Sequence, residues 1–93
     1  MLSLAEIQIR QARLWWAENR ADAPGAISDG LERAYATISE LPRIGRAVPD
    51  APGNGVRRYL IPRLPYSIYY RIDGDEIQIL AFWHSSRGAP PPI

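Results

Sequence analysis

The sequence predicts an α+β domain in which an N-terminal antiparallel helical hairpin packs on an antiparallel β-sheet of three to four strands. Three observations predict this class. Residues 3–20 contain strong helix formers and neither Pro nor Gly, a second stretch carries an amphipathic stripe, and residues 56–84 are rich in β-branched and aromatic side chains. A chain of 93 residues has room for one core. We expect the hairpin over residues 3–41, a loop over 42–55, the sheet over 56–84 and a C-terminal tail over 85–93.

The first predicted helix has two apolar faces. At 100° per residue, one face carries Leu4, Ile7, Leu14 and Trp15, and the nearly opposite face carries Ala5, Ile9, Ala12 and Trp16. Such a helix needs two surfaces to pack on. One is the core of the domain. The other is either the rest of the domain, which makes both tryptophans core residues, or a separate partner.

The second predicted helix is an ordinary amphipathic one. Its apolar stripe consists of Ile27, Leu31, Ala34, Ile38 and Leu41. The helix ends at Pro42, and a short Pro-Gly connection joins it to the first helix. Two helices with so short a link form an antiparallel hairpin.

Three strands are predicted after the Pro/Gly-rich loop: Val56–Ile61, Tyr66–Ile72 and Glu76–Trp83. The sequence Asp73-Gly74-Asp75 predicts a hairpin turn between the last two. Regular alternation in the last strand predicts two faces, which carry Ile77, Ile79, Ala81 and Trp83 on one side and Gln78, Leu80, Phe82 and His84 on the other. Both faces are largely apolar, so the strand is expected to be central or covered. The Pro-rich end of the chain is expected to be a loose tail.

Composition excludes several classes of function. There is no cysteine and one histidine, which argues against disulfides, thiolate catalysis and Cys- or His-rich metal sites. All eleven basic residues are arginine, so no mechanism can use a catalytic lysine. The formal net charge of +1 argues against a strongly basic nucleic-acid coater. No apolar run reaches the length of a membrane span and no signal sequence is evident, so we expect a cytoplasmic location, no membrane partner and no cofactor.

Several short motifs, in their order, carry a family resemblance. They are Leu41-Pro42-x-x-Gly45-Arg46, Gly55-Val-Arg57-Arg58, Tyr66-Ser-Ile-Tyr69-Tyr70-Arg71 and Ile79-Leu-Ala-Phe-Trp-His84-Ser-Ser-Arg87. Together they resemble the RelE/ParE toxin superfamily, the toxin halves of bacterial type II toxin–antitoxin pairs. The pair Trp15-Trp16 followed by Glu18-Asn19-Arg20 is similar to a ParE-like branch. Family members begin with a β-strand, so we expect a first strand reduced to residues 1–3 or a start downstream of the real one.

The resemblance implies one of two activities. A ParE-like toxin poisons DNA gyrase without catalysing a reaction, and near-neutral charge, absence of lysine and the loop motif favour this reading. A RelE-like toxin cleaves messenger RNA on the ribosome, which requires an acid–base pair and cations. The catalytic candidates would then be Arg57, Arg71, His84 and Arg87. An inactive member that only binds its partner is a third possibility.

Both activities imply the same partner, a cognate antitoxin whose C-terminal segment wraps the toxin to give a hetero-oligomer. The residues expected to bind the antitoxin are Trp15, Trp16, Ile9 and Arg58. Those expected to bind the target are Arg57, Arg63, Arg71, His84 and Arg87. Arg57 and Arg58 point to opposite faces of one strand, so only one of them can face a given ligand.

Overall fold

A computed structural model describes residues 3–51, 55–86 and 91–92. Helices α1 (Leu4–Asn19) and α2 (Ala26–Glu40) are followed by strands β1 (Arg46–Ala47), β2 (Val56–Leu60), β3 (Tyr66–Asp73) and β4 (Glu76–His84). The strands form one antiparallel sheet in the order β1-β2-β3-β4. This architecture confirms the predicted α+β class. Within the described residues, neither helix has the length and apolar character needed to traverse a bilayer.

The start of α1 is fixed by a capping box. The hydroxyl oxygen of Ser3 accepts a hydrogen bond from the backbone N–H of Glu6 at 3.2 Å, and the Glu6 carboxylate accepts one from the backbone N–H of Ser3 at 3.4 Å. These contacts satisfy backbone donors that a helix N-terminus leaves unpaired. A shortened first strand was expected over residues 1–3; residues 1–2 lie outside the described residues, and Ser3 is the N-cap of α1.

The main core lies between the two helices and one face of the sheet. Ile27, Leu31, Ala34 and Ile38 of α2 are buried there, as the predicted stripe requires. Leu41 departs from the stripe and is 57% exposed, because α2 ends at Glu40 and Leu41 is its C-cap. The sheet contributes Ile68, Tyr70 and Phe82, among others, to the same core.

Strand β4 contains the largest departure from the predicted pattern. The register changes at the Tyr69/Tyr70 step: Tyr69 pairs with Ala81 but Tyr70 pairs with Ile79, which leaves Leu80 as an extra residue. Because a bulge shifts the alternation by one, Ile79 and Phe82 both pack against the helices, whereas Leu80 and Ala81 both belong to a cluster on the opposite face. The prediction that Ile77, Ile79, Ala81 and Trp83 share one face is therefore wrong.

The loop expected over residues 42–55 contains strand β1, which pairs with β2, so this expectation is corrected. Of the two alternatives for β4, the covered one holds: the strand lies at the end of the strand order among the described residues, and its second apolar face is covered by the smaller cluster. Within the predicted C-terminal tail, Pro91 is buried.

Candidate functional site

A groove of about 600 Å³ runs between α1 and the last half of β4. The helix side is formed by residues spaced one turn apart, and the strand side by aromatic residues near the end of β4. Its lining consists of Leu4, Ile7, Gln8, Gln11, Ala12, Trp15, Tyr66, Phe82, Trp83, His84 and Ser86. No carboxylate is among these described lining residues. The groove is therefore an apolar and aromatic surface with a few neutral polar groups.

The two adjacent tryptophans of α1 face different environments. Trp15 is 48% exposed and lines the groove, whereas Trp16 packs against the main core. Their rings meet edge to face with centroids 5.8 Å apart, and the Trp16 ring is 6.3 Å from that of Tyr66. The indole N–H of Trp16 is buried and has no hydrogen-bond partner among the described residues. Both alternatives for the pair thus hold in part: Trp16 is a core residue and Trp15 offers a surface.

The other apolar residues of α1 divide in the same way. Ile7 and Leu14 are 41% and 60% exposed, and Ala5 and Ala12 are buried. Ile9, expected to bind the antitoxin, packs against the main core and is half-buried. The predicted second apolar face of α1 is confirmed, and it is the face that carries Trp15.

A polar contact joins strand β4 to helix α1. The backbone N–H of Phe82 donates a hydrogen bond to the side-chain oxygen of Gln8 at 2.8 Å. This N–H points away from β3, toward the edge of β4 that has no neighbouring strand among the described residues. Gln8 therefore caps a backbone donor that an edge strand would otherwise leave unpaired. No sequence pattern predicts this role, because a glutamine on a helix has many possible partners.

His84 lies at the end of the groove and is held by aromatic and hydroxyl groups. Its ring meets Tyr66 edge to face with centroids 5.0 Å apart, and Tyr66 stacks on Phe82 at 4.6 Å. Its Nδ1 accepts a hydrogen bond from the backbone N–H of Ser86 at 3.1 Å and lies 2.6 Å from the Ser86 hydroxyl. An Nδ1 that accepts from a backbone N–H carries no proton, so the neutral ring has its proton on Nε2.

Arg71 is far from His84, although the two are on neighbouring strands. Arg71 pairs with Gln78 and His84 pairs with Tyr66, so they lie near opposite ends of the β3–β4 ladder, about 17 Å apart along the strand. The Arg71 guanidinium donates to the Gln78 side-chain oxygen at 2.9 and 3.2 Å, on the sheet face away from the helices. The Gln78 amide in turn donates to Asp73 at 3.2 Å. The structure does not bring Arg71 and His84 into one constellation.

Arg57 and Arg58 lie on opposite faces of β2, as predicted. Arg57 turns to the helix side, where its Nη1 donates to the carbonyl oxygens of Gly45 at 2.8 Å and Arg43 at 3.2 Å. Arg58 is exposed and lies directly opposite Arg46 of β1.

The remaining target-binding candidates are Arg63, which does not line the groove, and Arg87. Arg63 is exposed in the β2–β3 turn and has a positive φ of 68°. Arg87 is outside the described residues. Arg46 was not among the predicted site residues, since its place beside Arg58 depends on the pairing of β1 with β2.

These features define a small α+β domain with an apolar and aromatic groove between α1 and β4. A sequence profile described as "ParE toxin of type II toxin-antitoxin system, parDE" matches residues 3–88, and the chain belongs to this family. The predicted family resemblance, including the ParE-like branch, is confirmed.

One solved structure shows the same fold. It is described as "Chromosomal ParDE TA system from P. aeruginosa", with a TM-score of 0.59 and 22% sequence identity over 86% of this chain and 86% of that chain. No curated protein sequence matches this chain.

Proposed function

We propose that this chain, taken as one toxin domain over residues 1–93, inhibits bacterial growth in the cytoplasm by poisoning DNA gyrase and is neutralised by a cognate antitoxin. Membership of the ParE toxin family is the observation that carries the proposal. The proposed activity is binding rather than catalysis, because a gyrase poison needs a surface that stabilises the complex of gyrase with cleaved DNA. No cofactor or metal takes part.

The arrangement of polar residues supports binding over RNA cleavage. General acid–base catalysis requires the acid, the base and the stabilising cation to surround one reacting group. Arg71 and His84 are at opposite ends of a ladder, and Arg57 Nη1 is bonded to loop carbonyls. No carboxylate lines the described part of the groove beside His84. The target-binding set that we retain is Arg57, Arg63, Arg71, His84 and Arg87.

The antitoxin is proposed to occupy the groove between α1 and β4. Trp15 is the anchor, because it lines the groove with a large apolar ring that is 48% exposed. Trp16 and Ile9 support this surface from the core side. Arg58 provides a separate contact on the other face of the sheet.

Expression of the chain alone in a bacterial host tests the proposal. Gyrase-cleaved DNA and messenger RNA ends are measured in the same culture, with and without the cognate antitoxin. We expect growth arrest, accumulation of cleaved DNA, intact messages and rescue by the antitoxin. Arg71→Gln should weaken the arrest, whereas Arg33→Gln, an exposed α2 residue, is the matched control and should not.

Two outcomes would contradict the proposal. Cuts in messenger RNA that disappear in His84→Ala would make the protein a ribosome-dependent RNase. Absence of arrest, with a folded chain that still binds the antitoxin, would make it an inactive binding-only member. Purified gyrase incubated with the purified chain separates a direct effect on gyrase from an indirect one.

A further inference from the structure

Two arginines face each other across the first two strands of the sheet. Arg46 of β1 pairs directly with Arg58 of β2, and both are exposed. Side chains of directly opposed residues lie on the same face, with Cβ atoms about 4.5–5.5 Å apart, and like charges in such a pair are destabilising. Arg58 also pairs with Tyr69, which belongs to the cluster away from the helices, so both guanidinium groups are on that open face.

The neighbouring arginines have acceptors among the described residues, and Arg46 and Arg58 have none there. Arg57 donates to loop carbonyls, and Arg71 donates to Gln78. Across residues 3–51, 55–86 and 91–92, no hydrogen bond or ion pair engages the guanidinium of Arg46 or of Arg58. The like-charge pair is thus not neutralised by the described part of the chain.

The position of Arg46 is nevertheless fixed by buried contacts. Gly45, immediately before it, donates its N–H to the hydroxyl of Tyr70 at 2.9 Å and accepts from Arg57 at 2.8 Å. Tyr70 is fully buried. Because β1 is only two residues long, these contacts set where the strand begins. The fold therefore fixes the backbone of Arg46 directly opposite that of Arg58, so that both side chains leave the sheet on one face and can reach an anion that accepts from both.

The surroundings of the pair favour an acidic peptide over a nucleic acid. Leu60, two residues after Arg58 and on the same face, is 59% exposed and offers an apolar contact. The net charge of +1 is low for nucleic-acid binding.

We propose that Arg46 and Arg58 form a two-guanidinium site that binds a side-chain carboxylate of an acidic peptide segment, with Leu60 contacting a neighbouring apolar residue of that segment. If the proposed function holds, the segment belongs to the antitoxin, and this assignment of its source rests on that function. The site lies at the β1 end of the sheet, on the opposite face and edge from the Trp15 groove. One partner that wraps the domain could occupy both.

Fluorescence anisotropy with defined probes tests the site. The probes are a labelled peptide Glu-Leu-Glu-Ser-Glu-Leu-Glu, the same peptide with Gln in place of each Glu, and a labelled twelve-nucleotide single-stranded DNA. Binding of the acidic peptide to the full chain should weaken about tenfold or more in Arg46→Gln or Arg58→Gln, because each substitution removes charged hydrogen bonds. Arg33→Gln is the control and should bind normally.

Other results would overturn the site or assign it to another ligand. Equal binding of the acidic and Gln peptides, or unchanged binding of the acidic peptide by the double variant, would overturn the site. Tighter binding of the DNA, lost in the same variants, would assign the pair to phosphate instead. Thermal unfolding separates binding from folding: the midpoint of either variant should be unchanged or higher because a like-charge pair is removed, and a clearly lower midpoint would make the pair structural.

Failure of the site and failure of the proposed function are distinguishable. If the toxin arrests growth and the double variant is neutralised with unchanged antitoxin affinity, the two-guanidinium site is wrong and the function stands. If no arrest occurs but peptide binding depends on both arginines, the site stands and the function is wrong.

Discussion

The hydroxyl of Tyr70 accepts a hydrogen bond from the backbone N–H of Gly45 at 2.9 Å, so a residue at the centre of the sheet holds the loop that follows α2. The same hydroxyl donates to the carbonyl of Pro42 at 2.7 Å. A Cβ added at Gly45 would lie 2.6 Å from this oxygen, which explains why a glycine occupies the position without any need for a left-handed backbone. One phenol thus connects the core to the segment that positions β1.

Removing this hydroxyl should destabilise the protein. Tyr70→Phe leaves the Gly45 N–H and the Pro42 carbonyl without their partner, and we expect a loss of about 1–3 kcal/mol in the free energy of unfolding, measured with urea. Tyr59→Phe is the matched control, because Tyr59 packs against the same core and its hydroxyl makes no hydrogen bond to a described residue. A loss of equal size in both variants would contradict the role of the Tyr70 hydroxyl.

Gly45→Ala extends the test to a double-mutant cycle. The single variant should lose stability because the new methyl group displaces the Tyr70 ring, and its effect should be smaller in the Tyr70→Phe background, where the hydroxyl is already absent. Strictly additive losses would show that the two residues do not act together.

The sequence predicts the helix and sheet layers of this fold correctly, but it does not predict the register of β4. Hydrophobic periodicity fixes which side of α2 is buried, and Ile27, Leu31 and Ala34 lie where the period predicts. The bulge in β4 was not predictable in this way. Leu80 and Ala81 are both apolar, so the local pattern fits either register, and only the pairing with β3 decides which residue is extra.

The candidate site was likewise predictable only in part. Trp15 was found because two adjacent large rings on one helix cannot both face one core. The groove beside it depends on Phe82 and His84 facing the helices, which the unbroken alternation correctly grouped together but could not assign to a side. Arg46 was missed because a two-residue strand in a Pro/Gly loop has no periodicity of its own.

The Gln8–Phe82 contact predicts a difference between two similar substitutions. Gln8→Met removes the acceptor of the Phe82 N–H at the edge of β4 and should cost about 1 kcal/mol of unfolding free energy. Gln8→Glu keeps an acceptor oxygen and should change stability by less than about 0.5 kcal/mol. Hydrogen exchange of the Phe82 amide locates the effect: it should accelerate in the Met variant only. Equal exchange in the two variants would show that Gln8 does not protect this amide.

The raised pKa of Tyr35 predicts that the protein loses stability at alkaline pH. Burial raises its pKa above the ordinary value of 10.0, and Arg13 partly opposes this by favouring the phenolate. The unfolded chain therefore releases this proton at lower pH than the folded one, so the stability contributed by the neutral phenol is complete below about pH 10 and falls as the pH rises further. Tyr35→Phe should lose less stability than the parent between about pH 8 and pH 11 in urea titrations. Arg13→Gln should lose more stability than the parent over the same pH range, because the charge that favours the phenolate is removed. Identical pH profiles for the parent and Tyr35→Phe would contradict the assignment.

Replacing Trp15 with Ala should mainly weaken antitoxin binding, whereas replacing Trp16 with Ala should mainly destabilise the fold. Trp15→Ala removes a 48% exposed ring and should change the free energy of unfolding by less than about 1 kcal/mol, yet weaken antitoxin binding by about 2 kcal/mol, or about 30-fold. Trp16→Ala removes a ring packed on the core and should destabilise the domain by about 2 kcal/mol or more. Leu14→Ala is the control for exposure, since Leu14 is 60% exposed on the same helix but does not line the groove. Urea unfolding and calorimetric titration with the antitoxin separate the two effects. If both tryptophan variants unfold the domain and neither changes antitoxin affinity, the pair belongs to the core alone.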